Sequence, residues 1–329
     1  MKPVTFYIRK QLLTLLLGCI LAVACVPRMT VGASESLVGV SDPESSEKET
    51  AAPETQEDTA AGNQEGATAG TSETAAPETQ ETAASEASES PELNAVITAL
   101  SDFIAGKAAA GEDWSAGFID LTALESCYLE SESMQAASLI KLFIMGAVYE
   151  SYDSLCASYG TDHIDTLLYN MITVSDNDAA NTLTNYLGQG DDASGRQVVS
   201  NYCLANGYND SVMGRMLLAP TDNGDNYTSV KDCCHFLLKV YNNEIDHAAE
   251  MLALLKNQQR THKIPQGVPE GVETANKTGE LSNVENDAAI IFAAHPYILV
   301  VMSQQLSDVG TAQSNIASLS TTVYYTLNP

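Results

Sequence analysis

The stretch "QAASLIKLFIMGAV", residues 135–148, is apolar almost throughout, yet it carries Ser138 and Lys141 three residues apart at its head. On a helix, positions three apart share a face, so this hydroxyl and this amine meet. A serine hydroxyl is a weak nucleophile until a base removes its proton. A lysine becomes such a base once burial or a neighbouring cation lowers its pKa. Ser138 also stands at the expected helix start, where unpaired backbone N–H groups favour a developing oxyanion. Alone the pattern is weak: Ser45 and Lys48 repeat it in a stretch almost without large apolar residues. Two further triplets change its weight. Ser175-Asp176-Asn177 precedes a helical pattern, and Lys277-Thr278-Gly279 falls on an expected strand, where Lys277 can be the second cation. The plain alternatives are a snorkelling lysine, a helix N-cap turn and an exposed edge-strand patch. Asp176 is read as structural.

Apolar spacing supplies the elements that must hold these groups. Residues 92–110 read as a helix, 114–130 as two short strands joined by a turn, and 138–149 as a buried helix. A mainly helical stretch follows to 205, with further helices at 228–243 and 248–257. Residues 272–281, 286–294 and 297–305 return to strand character, and 310–327 reads as a helix. This order is α+β: an antiparallel sheet built from both ends of the domain, flanked by helices, with an all-helical subdomain inserted.

Together the three motifs resemble those of the class A serine β-lactamases and their penicillin-binding relatives: Ser-x-x-Lys, Ser-Asp-Asn and Lys-Thr-Gly. "MITVSDNDAANTLTNYLG", "VPEGVETANKTGEL" and "ENDAAIIFAAHPYILVVM" extend the likeness, which spans residues 92–329. The resemblance implies a β-lactamase/transpeptidase-like fold and an acyl-enzyme formed on Ser138. It implies that Lys141 is the base and that Ser175 relays a proton between Lys277 and the leaving nitrogen. Asn177 would hold Lys141 and the substrate amide, and Lys277 and Thr278 the substrate carboxylate. Gly279 would leave room for substrate along the strand, with the backbone N–H groups of Ser138 and Glu280 as the oxyanion hole. A small-molecule β-lactam or peptidoglycan-like substrate, no metal or organic cofactor, and a monomer are expected.

The resemblance breaks at one place. The family's deacylating glutamate lies in an E-x-x-L-N stretch two residues after an arginine. Here Arg215 suits the arginine, and Leu217 falls where the glutamate belongs. Asp222 and Asp225 are the nearest carboxylates that could serve a water instead. Glu280 is also a departure, since small residues are commoner there. Acylation is therefore expected to be complete and deacylation slow. The alternatives are a D-Ala-D-Ala carboxypeptidase-like enzyme and a surface binding module without turnover.

Composition sets the surroundings. The chain has 329 residues and a formal net charge of −28, split as +4 over 1–33, −13 over 34–91 and −19 over 92–329. An acidic domain repels phosphates, so nucleic acid is excluded as a partner. Residues 1–33 read as a signal peptide or lipoprotein leader, with Cys25 the lipidation site or cleavage after Ala33, and an exported, surface-held or secreted protein is expected. Membrane contact is expected only through that leader. Residues 34–91, with "ETAAPETQE" at 49–57 and again at 73–81, read as a disordered acidic tether. The cysteines and histidines show no metal-ligand spacing; a Cys203 bridge to Cys233 or Cys234 is one open pairing.

Overall fold

The computed structural model describes residues 90–222 and 224–329. The leader, Cys25 and nearly all of the acidic segment lie outside them. Helix α1, Pro91–Ala108, is capped by the Ser90 side chain, which accepts from the Leu93 amide, and Pro91 takes the first-turn position that needs no N–H donor.

The central sheet runs β2 (Ser126–Leu129), β1 (Asp113–Asp120), β8 (Tyr297–Gln304), β7 (Val284–Phe292) and β6 (Glu273–Leu281), all antiparallel. Successive side chains of a strand face opposite sides, and both sides are covered here. Ala288, Ile290, Ile298, Val300 and Met302 enter one core, whereas Ala289, Ile291, Tyr297, Leu299 and Val301 enter the other. Burial of both faces is why these strands read as unbroken apolar runs. On one side lie α1 and α9 (Val309–Leu327), which contribute Val96, Leu100, Ile316 and Val323. On the other lies the inserted helical block: α2 (Ile140–Glu150), α3 (Tyr152–Tyr159), α4 (Thr161–Thr173), α5 (Asn177–Leu187), α6 (Asp192–Ala205), α7 (Val230–Tyr241) and α8 (Ala248–Lys256). Helix α2 is its axis, with every residue from Ile140 to Tyr149 buried.

A second sheet has no counterpart in the sequence reading. Strands β3 (Met134–Gln135), β5 (Asn226–Thr228) and β4 (Val212–Met213) pair antiparallel in the order β3-β5-β4. With two or three residues each, they are too short to show a period. They tie the segment before Ser138 to the loop that carries Leu217. The open disulfide pairing is corrected: Cys203 on α6 and Cys233 and Cys234 on α7 are buried free thiols. Burial pushes the Cys233 thiol up to about 12, which makes it an apolar packing group rather than a reactive one.

Candidate active site

Ser138 lies in a 3-10 turn, Ala137–Leu139, that runs into α2, so the nucleophile sits one step before the helix proper. Ala137 is held at φ +47°, a left-handed conformation that costs an L-residue about 1–3 kcal/mol. The sheet holds the turn in place. Asn286 on β7 donates through Nδ2 to the carbonyls of Gln135 (2.9 Å) and Ala136 (3.2 Å), and the Ala136 amide donates to Asn226 O at 2.9 Å. Gly279 on β6 abuts the same turn. A Cβ there would stand 2.8 Å from Ala136 O and 3.2 Å from the Ser138 and Leu139 nitrogens. Glycine at 279 therefore lets the strand and the Ser138 turn meet, a packing demand that the sequence reading did not foresee.

Ser175 stands between α4 and α5 at φ +62°, a second strained residue at the site. The next residue explains how the chain recovers: Asp176 caps α5 by accepting from the Ala179 amide at 2.7 Å, the structural role expected of it. Asn177 opens that helix, and Lys277 comes from β6.

These side chains form one hydrogen-bonded cluster. Lys141 Nζ lies 2.7 Å from Asn177 Oδ1, 2.7 Å from Ser175 O, 3.1 Å from Ser138 Oγ and 3.2 Å from Ser175 Oγ. The two short contacts are to oxygens that can only accept. The two longer ones are to hydroxyls that can also donate. A neutral amine can meet three of these four partners: two N–H groups serve Asn177 and the Ser175 carbonyl, and the one lone pair is left for one of the two hydroxyls. Burial is the main reason the Lys141 pKa is pushed down to about 7, with the Arg260 guanidinium adding to it and Asp176 opposing. Lys277 Nζ donates to Ser175 Oγ at 2.8 Å and to Thr278 O at 2.7 Å. Its pKa is driven well below the usual lysine value by burial first, then by Lys141, Arg260 and Lys263. Ser175 Oγ thus touches both amines. Such a cluster can strip a proton from Ser138 and deliver one past Ser175.

A family model, the β-lactamase enzyme family, matches residues 157–327. The chain belongs to that family. In this β-lactamase-family protein the matched segment holds Ser175, Asn177 and Lys277, while Ser138 and Lys141 precede it. Among solved structures, a β-lactamase from Sphaerobacter thermophilus superposes with a TM-score of 0.61 at 20% identity, covering 70% of this chain and 96% of that one. PBP-A does so at 0.57 and 22% identity, covering 65% and 89%. A leucine-to-glutamate variant of PBP-A, held as an acyl-enzyme complex with penicillin G, gives 0.61 at 20% identity over 71% and 96%. At these identities the likeness is one of fold. No curated protein matches the chain in sequence.

Two features set the site of this β-lactamase-family protein apart. Leu217 is clamped by its main chain: its amide donates to Asn181 Oδ1 (2.7 Å) and its carbonyl accepts from Asn181 Nδ2 (3.1 Å). Sequence reasoning missed Asn181, although it stands one helical turn after Asn177 on α5. Asp225, one of the two nearest carboxylates, is engaged elsewhere. It pairs with Arg215 Nε at 2.6 Å and accepts from Gln135 Nε2 at 2.9 Å. Burial alone would raise its pKa; the Arg215, Gln135 and Asn226 donors outweigh that and hold it low. Asp222 is exposed. The second feature is on β6. Thr278 and Glu280 alternate with Lys277 and Gly279 along β6. The Glu280 carboxylate is gripped by Arg260 (2.8 Å), His262 (3.3 Å) and Lys263 (3.3 Å). Lys263 is wholly buried, and no spacing in the sequence pointed to it.

Proposed function

We propose that this protein is an exported serine hydrolase that is acylated at Ser138 by β-lactams or related peptidoglycan-like amides and releases the acyl group slowly. The observation that carries the reading is the Lys141 amine, seated 3.1 Å from Ser138 Oγ, with two acceptor-only oxygens at 2.7 Å and the Ser175 hydroxyl at 3.2 Å on its other sides. In this mechanism Lys141 takes the Ser138 proton as Oγ bonds to the amide carbon. Ser175 passes a proton to the departing nitrogen as the carbon–nitrogen bond breaks, and Lys141 returns to Ser175 the proton it took from Ser138 while Lys277 holds the same Ser175 oxygen. Asn177 orients Lys141 and the substrate amide. Thr278 and Lys277 bind the substrate carboxylate, and the Ser138 and Glu280 amides stabilise the oxyanion. Hydrolysis of the ester then needs a base for water, and Leu217 provides none. Loss of a positioned base costs about 10²–10⁴-fold. The leader and acidic tether support placing the domain outside the cell, by Cys25 lipidation or after cleavage.

Leu217 equally favours a second reading, a carboxypeptidase-like enzyme whose natural ester is turned over while a β-lactam lingers. Intact-protein mass followed over time after mixing with benzylpenicillin tests both. The expected result is one added penicilloyl mass that persists for many minutes, is absent in Ser138→Ala, and decays about a hundredfold faster in Leu217→Glu. Rapid steady turnover by the wild type sinks slow deacylation. A labelled Ser138→Ala removes the nucleophile assignment, and no label at all leaves a binding module.

A further inference from the structure

Away from the reacting cluster, a cavity of about 540 Å³ opens between α2, α3, α4 and α8, a size that suits a small molecule. Tyr149 lines it near the far end of α2, about 16 Å along the helix axis from the Ser138 turn. Its ring stacks on Tyr152 at 5.4 Å and on His247 at 5.0 Å between centroids, and those two rings are 4.9 Å apart. His247 is held there at φ +60°, a backbone that few residues other than glycine adopt. Tyr169 on α4 adds a fourth ring and is 45% exposed. Two carboxylates stand among these rings. Asp165 Oδ1 accepts from the Tyr152 hydroxyl at 2.5 Å, and among the described residues nothing bonds its Oδ2. Glu250 lies 3.8 Å from His247 and is exposed.

Ring faces are electron-rich and attract cations. Elsewhere this chain supplies its own: Lys239 lies 4.9 Å from the Tyr208 ring, Lys256 4.4 Å from Phe292 and Lys107 5.3 Å from Phe103. Among the described residues, no lysine or arginine lines this cavity. The rings and the apolar side chains between them cannot replace the water around a metal ion, which needs oxygen or nitrogen ligands. They do suit an alkylated ammonium, whose methyl groups pack on ring faces while Asp165 and Glu250 balance its charge. The formal charge of −19 over residues 92–329 also draws a cation in. We propose that this cavity is a binding site for a small quaternary-ammonium ligand, separate from the Ser138 cluster. Binding there needs no acylation of Ser138.

The test is a ligand-observed NMR titration of the full chain with choline, beside the uncharged isostere in which carbon replaces the ammonium nitrogen. Choline should bind at least about tenfold more tightly than the isostere. Tyr169→Leu should weaken choline about fivefold. Glu250→Gln should weaken it about threefold, and less as salt is raised. Both side chains are exposed, so neither change disturbs the core. Ser138→Ala should bind choline as the wild type does. Equal binding of choline and its isostere overturns the assignment, as does choline binding that Tyr169→Leu leaves untouched. Loss of binding in Ser138→Ala overturns it by placing the cation in the catalytic cleft. If choline does not bind at all, this site falls while acylation by benzylpenicillin, measured separately, still decides the functional reading.

Discussion

Among the described residues three lysines, Lys141, Lys263 and Lys277, are wholly buried, and they are buried in two different ways. Lys263 sits between carboxylates, 2.5 Å from Glu285 and 3.3 Å from Glu280, and donates to Asn286 O at 3.0 Å. Lys141 and Lys277 touch only hydroxyl, carbonyl and amide oxygens, with no carboxylate at ion-pairing distance among the described residues. A buried cation with a partner stays charged and locks structure. A buried amine without one gives up its proton more readily. The missing anion, rather than burial, is what separates the reacting pair from the structural lysine.

The same substitution at the two kinds of site should therefore act with opposite sign on stability. Lys141→Met removes the base and should slow acylation by about 10²–10⁴-fold. It also removes an amine that the fold holds below its ordinary pKa, so thermal melting near neutral pH should stay level or rise. Melting curves with parallel mass labelling check both halves. A variant that still acylates within tenfold of wild type breaks the comparison on the chemical side.

Lys263→Met should do the reverse. Taking the cation from a buried pair leaves the Glu285 carboxylate with only the Gln313 amide as a side-chain donor among the described residues, a loss of about 3–5 kcal/mol. Denaturant unfolding should show this loss, and the double variant Lys263→Met/Glu285→Leu should recover most of it. If Lys263→Met melts like the wild type, the pair is not the anchor its geometry indicates.

How far these roles could be read without coordinates follows from their physics. The helices and the strands of the central sheet were legible because each is long enough to show a helical period or a continuous apolar run. Strand β7 reads as such a run because Ala288 and Ala289 enter opposite cores. Ser138, Lys141, Ser175, Asn177 and Lys277 were legible because local spacing and three motifs bind them together. Lys263 was not. Its partners come from the cross-strand pairing of Glu280 with Glu285, which depends on a hairpin register that no local spacing encodes. The left-handed backbones of Ala137 and Ser175 were equally hidden, since neither residue type asks for φ above zero. The structure tolerates both where it needs a hydroxyl aimed rather than a turn relaxed.

The smallest expected effect tests the charge state itself. If Lys141 must be neutral to accept the Ser138 proton, and its pKa is pushed down to about 7, the neutral fraction rises about tenfold between pH 6 and 8 and then levels. Acylation by an uncharged ester should follow that curve, because the ester adds no titration of its own. The stability sign runs the same way. Unfolding restores Lys141 to its ordinary value of 10.5, so between about 7 and 10.5 the unfolded chain binds more proton and stability gains as pH rises. The melting advantage of Lys141→Met should accordingly be greatest at or below pH 7 and shrink above it. Lys277 is lowered partly by Lys141, so the two amines titrate as a coupled pair and the rise in rate should be broader than a single ionisation. Rates that stay flat from pH 6 to 8 would mean that Lys141 is already neutral throughout or does not take the proton. A variant advantage that grows with pH would mean that Lys141 is not held below its ordinary pKa, and the distinction between the two kinds of burial would be lost.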